Sequence, residues 1–402
     1  MTTLDPSRRN VLLLATCQAL LLCNSVTLIA MGALAGYALA ANKAFSTLPT
    51  MTYVVGAALA TYPASMWMKR VGRRNGFLLG GAFGLTGSVL ATIAVATSSL
   101  ALLCAGTVLL GAYNAFGQYY RFAAADAAPA DFKAKAISFV LAGGLVGGIV
   151  GPQISKFTRT LAQPEFLASY ASLFVYSLLA MAIVSLLRIP EAAGDATHEP
   201  ARPLAEIMMQ PVFLVAASVA ALGYAVMSLL MTATPLAMGF CGHPYTAAAS
   251  VISAHVAGMF GTSFFTGSLI KRFGVLQVMI AGVAVQLACV SVALSGQEIS
   301  NFWWALVLLG VGWNFMYVGG TTLLTEAYRP SEKAKAQGAN EMTIFAVQAI
   351  ASLSSGVLVN TRGWDTLNYV ALPAILLAGC IACGLAWKRG LQTKPGTDPG
   401  FR

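Results

Sequence analysis

Apolar runs of about twenty residues recur along almost the whole chain, with only short polar links between them. In hydrocarbon no water satisfies a backbone N–H or C=O, so such a run must close its hydrogen bonds within itself, as a helix. A barrel strand would instead need only about ten residues of alternating polarity. Charged residues make up 9% of the sequence, against about 25% in soluble chains, too few to cover a water-facing surface. The fold class expected is therefore an all-α polytopic membrane protein. The net charge of +10 would in isolation suggest nucleic acid, but its placement argues for the lipid bilayer as partner and against nucleic acid. Seven cysteines lie scattered through the apolar runs, which excludes a disulfide scaffold. The first run is too long for a cleavable signal peptide.

The spans predicted are Val11–Ala40, Leu48–Met68, Gly76–Thr97, Leu100–Ala123, Ala136–Thr158 and Phe166–Leu187, then Pro211–Phe240, Tyr245–Ile270, Val275–Ser295, Phe302–Ala327, Gly338–Asn360 and Leu367–Trp387. Six and six are divided by a polar linker, giving an N-terminal bundle over 1–187, a linker over 188–210 and a C-terminal bundle over 211–402. Twelve spans put both termini on one side. On that assignment 20 of the 24 Lys and Arg residues, Arg188, Lys394 and Arg402 among them, fall in the inner loops and tails. This is the positive-inside pattern, with cytoplasmic termini.

The halves repeat each other. Lys69-Arg70-Val71-Gly72 is echoed by Lys271-Arg272-Phe273-Gly274, and Leu109-Leu110-Gly111 with Asn114 by Leu308-Leu309-Gly310 with Asn314. Asp126 matches Glu326, and Lys133-Ala-Lys-Ala136 matches Lys333-Ala-Lys-Ala336. Corresponding loops share a side, so the repeat is parallel, as in a transporter that rocks two bundles about a midplane site. The run Ser65-x-x-x-Lys69-Arg70-Val71-Gly72-Arg73-Arg74 resembles the second–third loop signature of the major facilitator superfamily, with Ser65 in place of a Gly and Lys69 in place of the Asp. That resemblance implies the major facilitator fold. Gly147-x-x-x-Gly151-Pro152 partly resembles the superfamily's antiporter motif, and also suits close helix packing.

Two pairs of soft ligands stand out: Met227-x-x-x-Met231 in the seventh span and His255-x-x-x-Met259 in the eighth. Residues four apart share a helix face. Counted from the outer ends of their spans the pairs lie ~14–21 Å deep, near the middle of a ~30 Å core. Thioethers and an imidazole suit a soft ion such as Cu(I). Met is also ordinary filling for an apolar interior, but an ionisable His at membrane depth is a functional candidate. Met238, Cys241 and His243 form a second soft cluster at the outer mouth, either a capture point for the ion or a turn built on Gly242 and Pro244. Cys380 and Cys383 read as helix packing, as do Cys17 and Cys23, although Cys17 or Met31 is placed to add a ligand. Asp126, Glu326, Glu341 and Arg121 are the charged candidates for coupling or gating, with Glu341 inside the eleventh span. There is no Gly-x-x-x-x-Gly-Lys-Ser/Thr run for ATP, and no catalytic set marking an enzyme.

Type, spacing and helix number of Met227, Met231, His255 and Met259 together resemble the CcoA-like copper importers of the major facilitator superfamily. The resemblance implies copper as transported substrate, no permanent cofactor, and a place in the bacterial inner membrane. It implies supply of copper to cytochrome oxidase assembly, with a periplasmic copper donor and a cytoplasmic copper chaperone as partners. Two alternatives stay open: a carrier of a small organic molecule, riboflavin or a drug, and a membrane copper receptor that does not transport.

Overall fold

A computed structural model of the chain describes residues 6–129, 132–189 and 202–392. Pro190, Pro200, Lys394 and Arg402, which the sequence places in the linker and tail, lie outside the described residues. The described residues are helical throughout, with α1 (Pro6–Leu39), α2 (Leu48–Val71), α3 (Arg73–Ala96) and α4 (Leu100–Gly117, continued by Tyr120–Asp126). Next come α5 (Lys133–Thr158), α6 (Leu167–Ser185), α7 (Pro211–Phe240) and α8 (Tyr245–Gly261, continued by Ser263–Phe273). The last four are α9 (Val275–Leu294), α10 (Ile299–Leu324), and α11 and α12, the two arms of Lys333–Gln392 on either side of Gly363.

Nine helices among the described residues are long and apolar enough to cross a membrane, and α8, bent by 42° between its two segments, makes ten. One of the nine, Lys335–Gly390, holds two spans, because Gly363 breaks it with a φ of 79°. The 24-residue α2 brings the total to twelve; at 1.5 Å per residue its length is ~36 Å. Local chemistry explains several boundaries. Ser99 accepts from the Leu102 amide and caps α4, and Glu298 and Asn301 form a reciprocal capping box on α10. Gly72 and Gly274 occupy the matching α2–α3 and α8–α9 turns with φ of 84° and 93°, where a β-carbon is strained. The repeated Lys-Arg-x-Gly motif thus makes the same turn twice.

The Gly-rich run in α5 packs two ways. A β-carbon on Gly147 would collide with the Ala19 carbonyl of α1, and one on Gly151 would meet the Cys23 carbonyl at 2.7 Å. Gly148 faces Val256 of α8 instead. Small residues here let backbones approach, which in lipid is a main source of helix association.

Hydrogen bonds between the first six helices and the last six gather at the end opposite the basic loops. Ser155 and Tyr245 share a 2.6 Å hydroxyl contact, Lys156 donates to Ser250 at 2.7 Å and Gln153 to Ser253 at 2.8 Å. Thr47 donates to the Leu353 carbonyl and Asn360 to Ser46. The Tyr37 and Phe240 rings meet edge-on at 5.7 Å. These contacts hold that end of the bundle together.

Candidate functional site

On α7, Gly223 leaves room for Met316 of α10, which a β-carbon would meet at 3.0 Å. The close approach brings the next residue, Tyr224, against the inner face of α10. There Trp313 and Tyr317, four apart and so on one face, stack at 5.0 Å with 13° between their planes. Tyr224 stands edge-on to both, at 5.2 Å and 84° to Trp313 and at 5.4 Å and 83° to Tyr317. Positive ring edges against negative ring faces make this arrangement favourable. The Trp313 indole N–H is buried with no hydrogen-bond partner among the described residues.

Charge surrounds the aromatic group. The Tyr317 hydroxyl donates to Glu341 of α11 at 3.4 Å. Arg121, at the end of α4, interacts electrostatically with Glu341 and with Tyr224. The Arg121 guanidinium lies over the Phe122 ring at 4.9 Å, and its Nε is buried without a hydrogen-bond partner among the described residues. The site therefore draws on both halves: Arg121 from the first, Tyr224, Trp313, Tyr317 and Glu341 from the second. A flat aromatic face beside one cation and one acid suits a planar ring with a polar edge.

The soft residues lie in different surroundings. Met227, Met231 and Met259 are buried in one apolar core with Leu306 and Leu309. His255 is fully buried in α8, and its Nδ1 lies 2.7 Å from the Leu306 carbonyl of α10. A carbonyl only accepts, so Nδ1 carries the proton and Nε2 presents its lone pair. That Nε2 is buried with no hydrogen-bond partner among the described residues. No group of three or more His, Cys, Asp or Glu among the described residues is arranged to hold a metal ion.

At the mouth, His243 Nε2 lies 2.7 Å from the Gln297 carbonyl and the Cys241 thiol 3.2 Å from the Gln297 side-chain oxygen, while Met238 is buried. This ties the α7–α8 turn to the α9–α10 turn. Asp126 pairs with Arg73 at 3.2 Å and Glu326 with Arg389 at 2.7 Å, both at the basic end. Arg74 donates to the Ser185 carbonyl at the end of α6, and Lys69 and Arg70 lie in the last turn of α2, just ahead of Gly72. Cys17 donates its thiol hydrogen to the Ala180 carbonyl, Met31 and Cys23 lie in a separate core cluster, and Cys380 and Cys383 are exposed on α12. Sequence reasoning singled out Arg121 and Glu341 but missed Tyr224, Trp313 and Tyr317. The available signal was the four-residue spacing of Trp313 and Tyr317, which ordinary packing shares.

The sequence profile of the Major Facilitator Superfamily matches residues 14–262 and 221–401. The riboflavin transporter RfnT of Brucella anthropi is 40% identical over 380 residues, covering 94% of this chain and 96% of that protein. The uncharacterised MFS-type transporter YddS of Bacillus subtilis is 29% identical, over 85% of this chain and 82% of its own length. Among solved structures, a bacterial homologue of the human lysosomal transporter Spinster superposes with a TM-score of 0.73 at 14% identity, covering 98% of this chain and 100% of that one. A D-xylose–proton symporter gives 0.72 at 13% identity, over 92% and 96%.

Proposed function

Because the chain belongs to the major facilitator superfamily and is a secondary membrane transporter rather than an enzyme, we propose that its cargo is riboflavin. The observation that carries this reading is the cluster of Tyr224, Trp313 and Tyr317 beside Arg121 and Glu341. An isoalloxazine ring offers a broad apolar face for the aromatics and a carbonyl–N–H–carbonyl edge for the charged pair. Stacking of a heterocyclic base on an aromatic side chain is worth about 1–3 kcal/mol per base. The 40% identity to a named riboflavin transporter over nearly the full length of both chains supports the same cargo.

In this reading the protein lies in a bacterial inner membrane with both termini in the cytoplasm. The basic loops Lys69–Arg74 and Arg329–Lys335 then face inward, and the Ser155–Tyr245 end closes the periplasmic side. The test is uptake of labelled riboflavin by a riboflavin auxotroph lacking its own importer. Accumulation above empty cells supports the reading, and uptake no greater than in empty cells rejects it.

One observation favours a second cargo. The unpaired Nε2 of His255, fixed by the Nδ1–carbonyl bond, has the orientation by which proteins prepare an imidazole for a metal. With Met227, Met231 and Met259 it supports Cu(I) import for cytochrome oxidase assembly. Radioactive copper uptake in the same cells tests this directly.

A further inference from the structure

The flavin reading leaves open how the cargo's polar edge is recognised, and this step rests on that reading. We infer that Arg121 and Glu341, one from each half of the bundle, grip the carbonyl–N–H–carbonyl edge of a ring whose face lies on Tyr224, edge-on to Trp313 and Tyr317.

An acid inside a span is unfavourable unless it serves a purpose, and Arg121 stands where α4 runs out to the basic end. Neither is saturated by the protein. A guanidinium has five N–H donors, yet among the described residues Arg121 enters no ion pair, and its buried Nε has no partner. A carboxylate has about four acceptor positions. Glu341 receives the Tyr317 hydroxyl at 3.4 Å, with the Asn340 amide and the Arg121 guanidinium near it. Spare donors thus stand on one side and spare acceptors on the other. The isoalloxazine edge is the complement: one of its carbonyls accepts from the guanidinium, and the adjacent N–H donates to the carboxylate. Both bonds are charge-assisted, and so about twice as strong as neutral ones. The buried indole N–H of Trp313 adds a third unused donor within the same group.

Placement gives the contact a second consequence. Arg121 ends α4 in the first half and Glu341 lies in α11 of the second. A ring edge held by both ties the two halves to each other, so recognition of the edge also draws them together. A ligand that stacks but lacks the N–H engages only one half.

The experiment is competition against labelled riboflavin uptake by the full-length protein in cells, using two analogues. Lumiflavin keeps the ring edge and replaces the ribityl chain by methyl. 3-Methylriboflavin keeps the ribityl chain and replaces the N–H by N–CH3. The expected result is that lumiflavin competes while 3-methylriboflavin competes about ten- to a hundredfold less well than riboflavin, the range for a hydrogen bond to a charged group. Glu341→Gln, at normal membrane level, should narrow that difference by weakening riboflavin itself. Equal competition by 3-methylriboflavin, with riboflavin uptake intact, overturns this inference and leaves the flavin reading standing. Recognition through the ribityl chain, seen as lumiflavin failing while 3-methylriboflavin competes, also overturns it. An absence of riboflavin uptake by the unaltered protein removes the flavin reading and this inference together.

Discussion

Tyr224 of α7 and Trp313 of α10 meet edge to face at 5.2 Å and 84°, with Tyr317 stacked beneath the indole. Tyr224 is half-buried and Trp313 almost wholly so, so of these two Tyr224 is the ring whose loss disturbs the fold less. Tyr224→Ala should raise KM for riboflavin about five- to a hundredfold, the effect of removing one stacking surface. Tyr224→Phe keeps the face and should stay within about twofold of the unaltered protein. Saturation curves of labelled uptake, normalised to the amount of protein in the membrane, check both. A KM unchanged in the alanine variant would remove Tyr224 from the cargo path.

Met227 separates the two cargo readings. It is buried in the α7 core, and Leu has nearly its volume, so Met227→Leu should alter stability by less than about 1.5 kcal/mol. Thioether chemistry is all that the change deletes. On the flavin reading riboflavin uptake by Met227→Leu matches that of the unaltered protein, and copper accumulation stays at the level of empty cells in both. Copper uptake by the unaltered protein that collapses in Met227→Leu would assign the soft residues to cargo.

The two outcomes are not equally legible in sequence, for a physical reason. Apolar length and charge placement act locally, and they delivered all twelve spans, the Pro211–Phe240 bounds without change and the others within several residues. They also marked the Gly72 and Gly274 turns. The break in α8 at Thr262 carries no proline and no charge; Gly261 adjoins it, and Thr262 donates back to the Gly258 carbonyl. Asn314 of α10 donates to the Met259 carbonyl, a contact only the fold supplies, so the sequence read α8 as one span. The aromatic site is hidden for a related reason. Tyr224, Trp313 and Tyr317 sit in apolar spans where rings are usual filling, and only the α7–α10 approach at Gly223 brings them together. Met227 and His255 attracted notice because their residue types are chemically unusual in a span. Residue type reveals a candidate ligand, whereas a shared cleft is a property of the fold.

An ion pair links the segment ahead of α7 to the basic end of the second half. Arg202 donates two bonds of 2.7 Å to the buried Glu332 carboxylate, one to each oxygen. The Arg202 guanidinium, followed by the Arg329 backbone N–H, holds the Glu332 carboxyl well below the usual carboxylate range. A depressed folded-state value contributes stability above the unfolded value, about 4.3 for Glu, and loses it as pH falls through the lower folded value. Glu332→Gln should therefore melt at a lower temperature in detergent than the unaltered protein, by the same margin throughout pH 6–8. The gap should close only in strong acid. A gap that grew with rising pH above 6 would contradict this sign.

At the closed end, Tyr245 of α8 shares its 2.6 Å hydroxyl contact with Ser155 of α5 and lies 4.8 Å beneath the Arg159 guanidinium. The Phe166 ring meets it edge-on at 5.9 Å. Tyr245→Phe removes the hydroxyl and keeps both ring contacts, so it isolates one hydrogen bond between the halves. Such a bond is worth about 1 kcal/mol net, or roughly a fivefold shift between closed and open populations at this end. Spin labels replacing Ala41 and Ser300, exposed at the outer ends of α1 and α10, should report it. The short-distance population seen in the unaltered protein should shrink in favour of a longer one in Tyr245→Phe, and riboflavin binding from the basic end should weaken by a comparable factor. An unchanged distance distribution would mean that Gln153, Lys156 and Asn360 hold that end closed without Tyr245.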